Sequence, residues 1–182
     1  MTMPNANRLT LAGLTVKTIV VHTVTYFVAG ILAFTLGDYE RTYAEPPLSH
    51  LMRPTSDRWV MAGPLFQPVR GIIFALALYP LRGVLFAQPR GWLTLWWLLL
   101  ALGVLSTFGP APGSVEGLIY TVIPPGVQLR GLWEVLLQSL LFSFVLFHWV
   151  DHPEKRWLGW TLGLTFCLVM ILPVLGLLTT RS

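Results

Sequence analysis

The chain is short of charge. Asp, Glu, Lys and Arg make up 11% of its 182 residues, against roughly 25% in ordinary globular proteins, which excludes a water-soluble fold with a charged shell. Cysteine is nearly missing. The lone Cys167 lies in an apolar stretch, so neither an intrachain disulfide nor a cysteine cluster for zinc or iron–sulfur can be built. Twelve basic residues face eight acidic ones, and the basic residues fall between apolar blocks instead of forming one face, which argues against nucleic acid as a partner. No Walker-type loop or glycine dinucleotide fingerprint occurs, and Ser49, Ser56 and Ser114 lack the flanking glycines of a nucleophile turn. The run Gly109 to Gly113 carries proline where a phosphate cradle needs backbone donors. His50, Asp57 and the nearby carboxylates match no metal-ligand spacing. No metal or other cofactor is expected.

What is abundant is apolar sequence. Hydrophobic residues reach 54% with a mean hydropathy of +0.67, and they fall in five blocks: Leu11 to Gly37, Val69 to Ala87, Trp92 to Phe108, Gly131 to Val150, and Trp157 to about Thr179. At 1.5 Å per residue, spans of roughly 20 residues match a hydrocarbon thickness of about 30 Å. The expected fold is all-α, a polytopic membrane bundle of five transmembrane helices forming one domain over residues 1–182. The first block is longer than the core of a cleavable signal peptide and is expected to stay in the mature protein. Asp38 to Gln67, rich in acids and in Pro46, Pro47, Pro54 and Pro64, reads as an extramembrane loop. Pro80 predicts a kink in the second block. Ser114 predicts the cap of a short helix over Val115 to Thr121, a half-helix lying at the bilayer surface within residues 114–125.

Arg8, Arg82, Arg90, Lys155 and Arg156 fall on one face of this arrangement, in short connections. The opposite face holds Arg41, Arg53 and Arg58 diluted by acids, together with Arg130 and Arg181. Weighting short loops places the N-terminus inside, in a multi-pass protein of the cell membrane. Most of the tryptophans stand near block ends, where indole anchors at headgroup level. Gln67-Pro68-Val69-Arg70-Gly71 opens the second block and Gln128-Leu129-Arg130-Gly131 the fourth, which suggests two tandem hairpins related as a parallel repeat.

Arg70 and Glu134 each lie about one turn inside an apolar block, at the start of helices pointing the same way. They are therefore expected at one depth and paired, supported by Gln67 and Arg130, because an unpaired ion near hydrocarbon is costly. Such a cluster, with more cationic than anionic groups, would suit a phosphate or carboxylate headgroup. His22 and His148 could ligate haem only at matching depth; the plainer expectation has His22 bonded to a neighbouring helix and His148 at the interface beside Asp151 and His152. Gly159 and Gly163 have the four-residue spacing of a close helix contact. The expected function is that of a non-catalytic binding or accessory subunit, with lipid and a second copy or other membrane subunits as partners. The alternative is an enzyme or carrier for a lipid, a quinone or a small anion.

Overall fold

The structure, a computed structural model, describes residues 9–46 and 48–179; Arg8, Pro47 and Arg181 lie outside the described residues. The described residues are all-helical, with no strand among them. Three helices are long and apolar enough to cross a membrane: α1 (Leu11–Leu36), α8 (Pro125–Asp151) and α9 (Arg156–Thr179). Between them come the short helices α2 (Tyr39–Ala44) and α3 (Arg58–Met61), then α4 (Gln67–Leu78), α5 (Arg82–Leu85), α6 (Gly91–Leu100) and α7 (Val115–Tyr120).

Helix α1 is the axis of the bundle. Thr10 starts it by accepting a hydrogen bond from the Gly13 N–H at 3.1 Å. Gly37 closes it, and Asp38, at φ 45°, turns the chain away in the left-handed region that Asp tolerates. Val21 to Thr25 are buried without interruption, so this helix has no solvent face at mid-length. Helices α4, α8 and α9 pack around it. Helix α4 runs antiparallel: Gly63 approaches Tyr26, Gln67 reaches His22, and Gly71 lies against Ile19. At the Leu11 end, Lys17 donates to the Trp149 carbonyl at 2.9 Å and sits 4.2 Å over the Trp149 ring, locking α1 to the last turn of α8. At the Leu36 end, Met61 of α3 lies against Gly176 of α9. The start of α1 and the end of α9 are thus at opposite ends of the bundle.

The second and third blocks are not the long helices expected from hydropathy. With its preceding 3₁₀ turn the second runs over Gly63–Leu78, and with a π-helical turn at Ala101–Leu105 the third runs over Gly91–Leu105. Each is about 22 to 24 Å long. Proline sets the first limit. Pro80 has no N–H and its ring collides with the carbonyl four residues back, so α4 stops at Leu78 instead of kinking and continuing to Ala87. The Arg82 guanidinium donates to the Tyr79 carbonyl at 2.9 Å and lies 4.0 Å over the Tyr79 ring, covering the exposed carbonyl end of α4. Ser106 ends the third block short of Phe108.

Two further boundaries move. Pro125 is the first residue of α8, a position where its missing N–H costs nothing, so the fourth helix starts before Gly131 and the segment expected at the bilayer surface ends before Pro125. Gly63–Phe66 already belongs to the α4 segment, so the first loop closes before Gln67. The short helix α7 forms as expected: the Ser114 hydroxyl accepts from Gly117 N at 2.9 Å.

Gly91 carries the return from α5 into α6. A methyl group there would stand 1.6 Å from the Leu85 carbonyl oxygen, whereas at Gly163 it would meet nothing within 4 Å. Gly159 faces Trp149, but Gly163 is open, so the pair does not form a shared close contact. Gly91→Ala should lower stability by about 1–3 kcal/mol, the usual range for forced overpacking, while Gly163→Ala should leave it unchanged or slightly raised. Thermal unfolding of the two variants in detergent checks this.

Candidate functional site

The four residues expected to form one cluster occupy three places. Gln67 is buried. Its amide nitrogen donates to the Gly63 carbonyl at 3.0 Å, which leaves its oxygen facing His22 Nε2 at 3.1 Å. That bond assigns the proton to Nε2 of His22. The imidazole is enclosed edge-on by Phe74 and Phe142, with ring centroids at 4.9 and 5.7 Å. His22 therefore bonds to a neighbouring helix, as expected. Its Nε2 has no lone pair to give haem iron, and His148 stands six residues, about 9 Å, beyond Phe142 toward the Leu11 end.

Arg70 is exposed. Its guanidinium lies 5.9 Å from the Phe74 ring centroid, and no carboxylate of the described residues lies within ion-pair distance of it. Glu134 is half-buried, and its carboxylate accepts a hydrogen bond from the Tyr39 hydroxyl. The expected Arg70–Glu134 ion pair is not formed. The reason is register: Phe142 stands at the level of His22, and Glu134 is two turns, about 12 Å, nearer the Leu36 end. Arg70 is about one turn beyond Gln67 in the opposite direction. The two backbones are therefore separated by about 16 Å in height. Arg130 is exposed near the start of α8 and makes no ion pair with Glu134 despite the i, i+4 spacing.

Sequence reasoning missed two groups. Tyr39 and Tyr43 lie on α2 with their rings tilted by 31° and centroids 4.9 Å apart; α2 folds back beneath the Leu36 end, and Tyr39 supplies the partner of Glu134. The signal was a pair of phenols four residues apart directly after an apolar block. Both phenols are held above the ordinary tyrosine value, first by burial and then by the neighbouring Glu134 carboxylate. Gln128 is the second group. Its oxygen accepts from Gly113 N at 3.0 Å while its nitrogen donates to the carbonyls of Ile123 at 2.7 Å and Gly117 at 3.3 Å. One buried amide thus holds the α7 segment onto α8, just as Gln67 holds the Gly63–Phe66 turn onto α4.

At the Leu11 end His148 sits beside His152, as expected, and also beside Lys155. The two imidazoles are 4.2 Å apart, and Lys155 Nζ is 3.2 Å from His148 Nε2. Among the described residues no group of three or more His, Cys, Asp or Glu side chains could hold a metal ion. The grooves are shallow and mainly apolar; one of about 220 Å³ runs along α1 past Tyr26, Gly30 and Phe34. Comparison with protein-family models, with curated proteins and with solved structures found no match. The described residues define an all-helical protein with three helices able to span a membrane, in which the buried side chains of His22, Gln67 and Gln128 tie segments together.

Tyr39→Phe leaves the half-buried Glu134 carboxylate without its donor and should cost about 1–3 kcal/mol at neutral pH. The phenol shifts also have a sign. A raised folded-state value gives stability that is complete below the ordinary phenol value of about 10 and is lost as pH climbs toward the folded value. Thermal unfolding should therefore show the natural chain weakening more steeply above pH 10 than Tyr39→Phe does.

Proposed function

We propose that the chain is a five-span integral protein of the cell membrane that serves as a non-catalytic binding or accessory subunit, packing against other membrane components. The observation that carries this reading is the outer face of α9. Trp157, Trp160, Leu164, Leu168, Ile171, Leu175 and Leu178 recur at intervals of three and four residues and are all exposed. Only Leu162, Val169 and Pro173 of that helix are buried. Such a surface belongs in lipid or against another apolar helix.

The shorter Gly63–Leu78 and Gly91–Leu105 segments complete the five spans in this reading, running antiparallel to their neighbours, with local thinning of the bilayer making up their length. Arg82, Arg90, Lys155 and Arg156 gather in the two short connections at the Leu11 end, which supports an inside N-terminus. The buried polar groups support a structural rather than a catalytic use of polarity, because His22, Gln67, Gln128 and Lys17 are each engaged in holding segments together.

Two measurements test the reading. In a Cys167→Ser background, a cysteine at Arg53 should react with an impermeant reagent from outside intact cells and one at Glu154 should not; the reverse pattern overturns the orientation. Native mass spectrometry from mild detergent should give an assembly heavier than the 20.4 kDa chain, shifted toward monomer by Leu164→Ala with Leu168→Ala. Monomer alone in several mild detergents, with no co-purifying chain, contradicts the subunit reading.

A further inference from the structure

Arg70 is placed where a cation is most expensive. Gly71 lies against Ile19, so the Arg70 backbone is about 12 Å from the level of Leu11 and about 25 Å from that of Leu36. Side chains on a helix lean toward its N-terminus, and for α4 that direction leads toward His22 and Tyr26, away from the nearer surface. His22 itself is close to the midpoint of the 26-residue α1. The guanidinium therefore stands near mid-membrane, on an exposed face whose other members, Val69, Ile73 and Leu76, are apolar. It faces the Phe74 ring at 5.9 Å and lies within electrostatic range of His22 and Tyr26, and none of the three supplies an anion. An arginine in hydrocarbon without an anion is costly enough that it pairs, snorkels or marks a site. Snorkelling is opposed by the direction of lean and by depth, since the headgroups lie beyond a single side chain's reach.

We infer that the Arg70 face of α4 docks a transmembrane helix of a different protein, one carrying an Asp or Glu near the middle of its span. Charge complementarity identifies the partner's chemistry. A second copy of this chain has no such group to offer: of its eight acidic residues only Glu134 lies in the interior of a long helix, where it is bonded to Tyr39 and stands about 16 Å nearer the Leu36 end. The inference rests on the membrane-subunit reading above and specifies the surface and the partner for it.

The full chain, labelled at Cys167 and reconstituted in phosphatidylcholine vesicles, provides the test. Association is read by energy transfer to a synthetic leucine-based transmembrane helix bearing one central glutamate, or to its all-leucine twin. The glutamate helix should bind about tenfold more tightly than the leucine helix. Arg70→Leu should bring the two to parity, Arg70→Lys should keep part of the preference, and Arg130→Leu should leave it intact. Equal binding of both helices to the natural chain, or a preference that survives Arg70→Leu, overturns the inference. So does loss of the preference when phosphatidylglycerol replaces part of the phosphatidylcholine, because a lipid phosphate is then the occupant. A chain that alkaline carbonate strips from the vesicles overturns the membrane reading and this inference together, whereas an inserted chain that shows parity overturns the inference alone.

Discussion

His22 lies near the midpoint of α1, in the Val21 to Thr25 turn that is buried on all sides, so its imidazole must find its hydrogen-bond partner within the protein. The amide of Gln67 supplies that partner, and in doing so sets how far α4 can slide along α1. Gly71 makes the same register sterically possible, because a methyl group there would come within 2.5 Å of the Ile19 Cα. A buried, unbonded imidazole or amide would cost about 1–3 kcal/mol. One register satisfies both the polar bond and the close approach. Everything on α4 then inherits its height from that pair, including the placement of Arg70 far from either end of α1.

The same logic is repeated in the second half of the chain. Gln128 is buried in the first turns of α8, as Gln67 is at the start of α4, and each amide reaches back to carbonyls of the segment before its own helix. Arg70 and Arg130 follow two or three residues later and are both exposed. The likeness ends at the glycines: Gly71 is pressed on Ile19, whereas a methyl group on Gly131 would meet nothing within 4 Å. The Gln-to-Arg spacing thus has a structural meaning in both halves, with the glutamine serving as a clamp and the arginine left facing outward. Lys17 under the end of α8 and Tyr39 beneath Glu134 are two more cases in which a polar side chain closes the bundle at one level.

Helical class, the bounds of α1, the cap of α7 and the place of His148 beside His152 were legible because each depends on local chemistry: hydropathy, Ser114, and the polar run after Val150. The heights of Arg70 and Glu134 were not. Counting depth from the start of an apolar block assumes that every block starts at a membrane face. The second block, read from Val69, does not start at an end of the bundle, because α3 and the Gly63–Phe66 turn pack beside the Leu36 half of α1, and Gln67 is already level with His22. Helix α8 departs from the assumption in the other direction, beginning at Pro125, well before its hydropathy rises. Two opposite errors brought together a pair of ions that the packing separates. Register between helices depends on which side chains can meet, and no window along one segment contains that information.

The separation in depth is the quantity on which this account turns. Spin labels at Arg70→Cys and Glu134→Cys, each in a Cys167→Ser background and reconstituted in vesicles, can be ranked by relaxation with oxygen, which concentrates in hydrocarbon, and with a water-soluble nickel chelate. The account predicts that the label at position 70 is relaxed mainly by oxygen, and that the label at position 134 is markedly more accessible to nickel, consistent with a height difference of about 16 Å. Equal oxygen-to-nickel ratios at the two positions would contradict it.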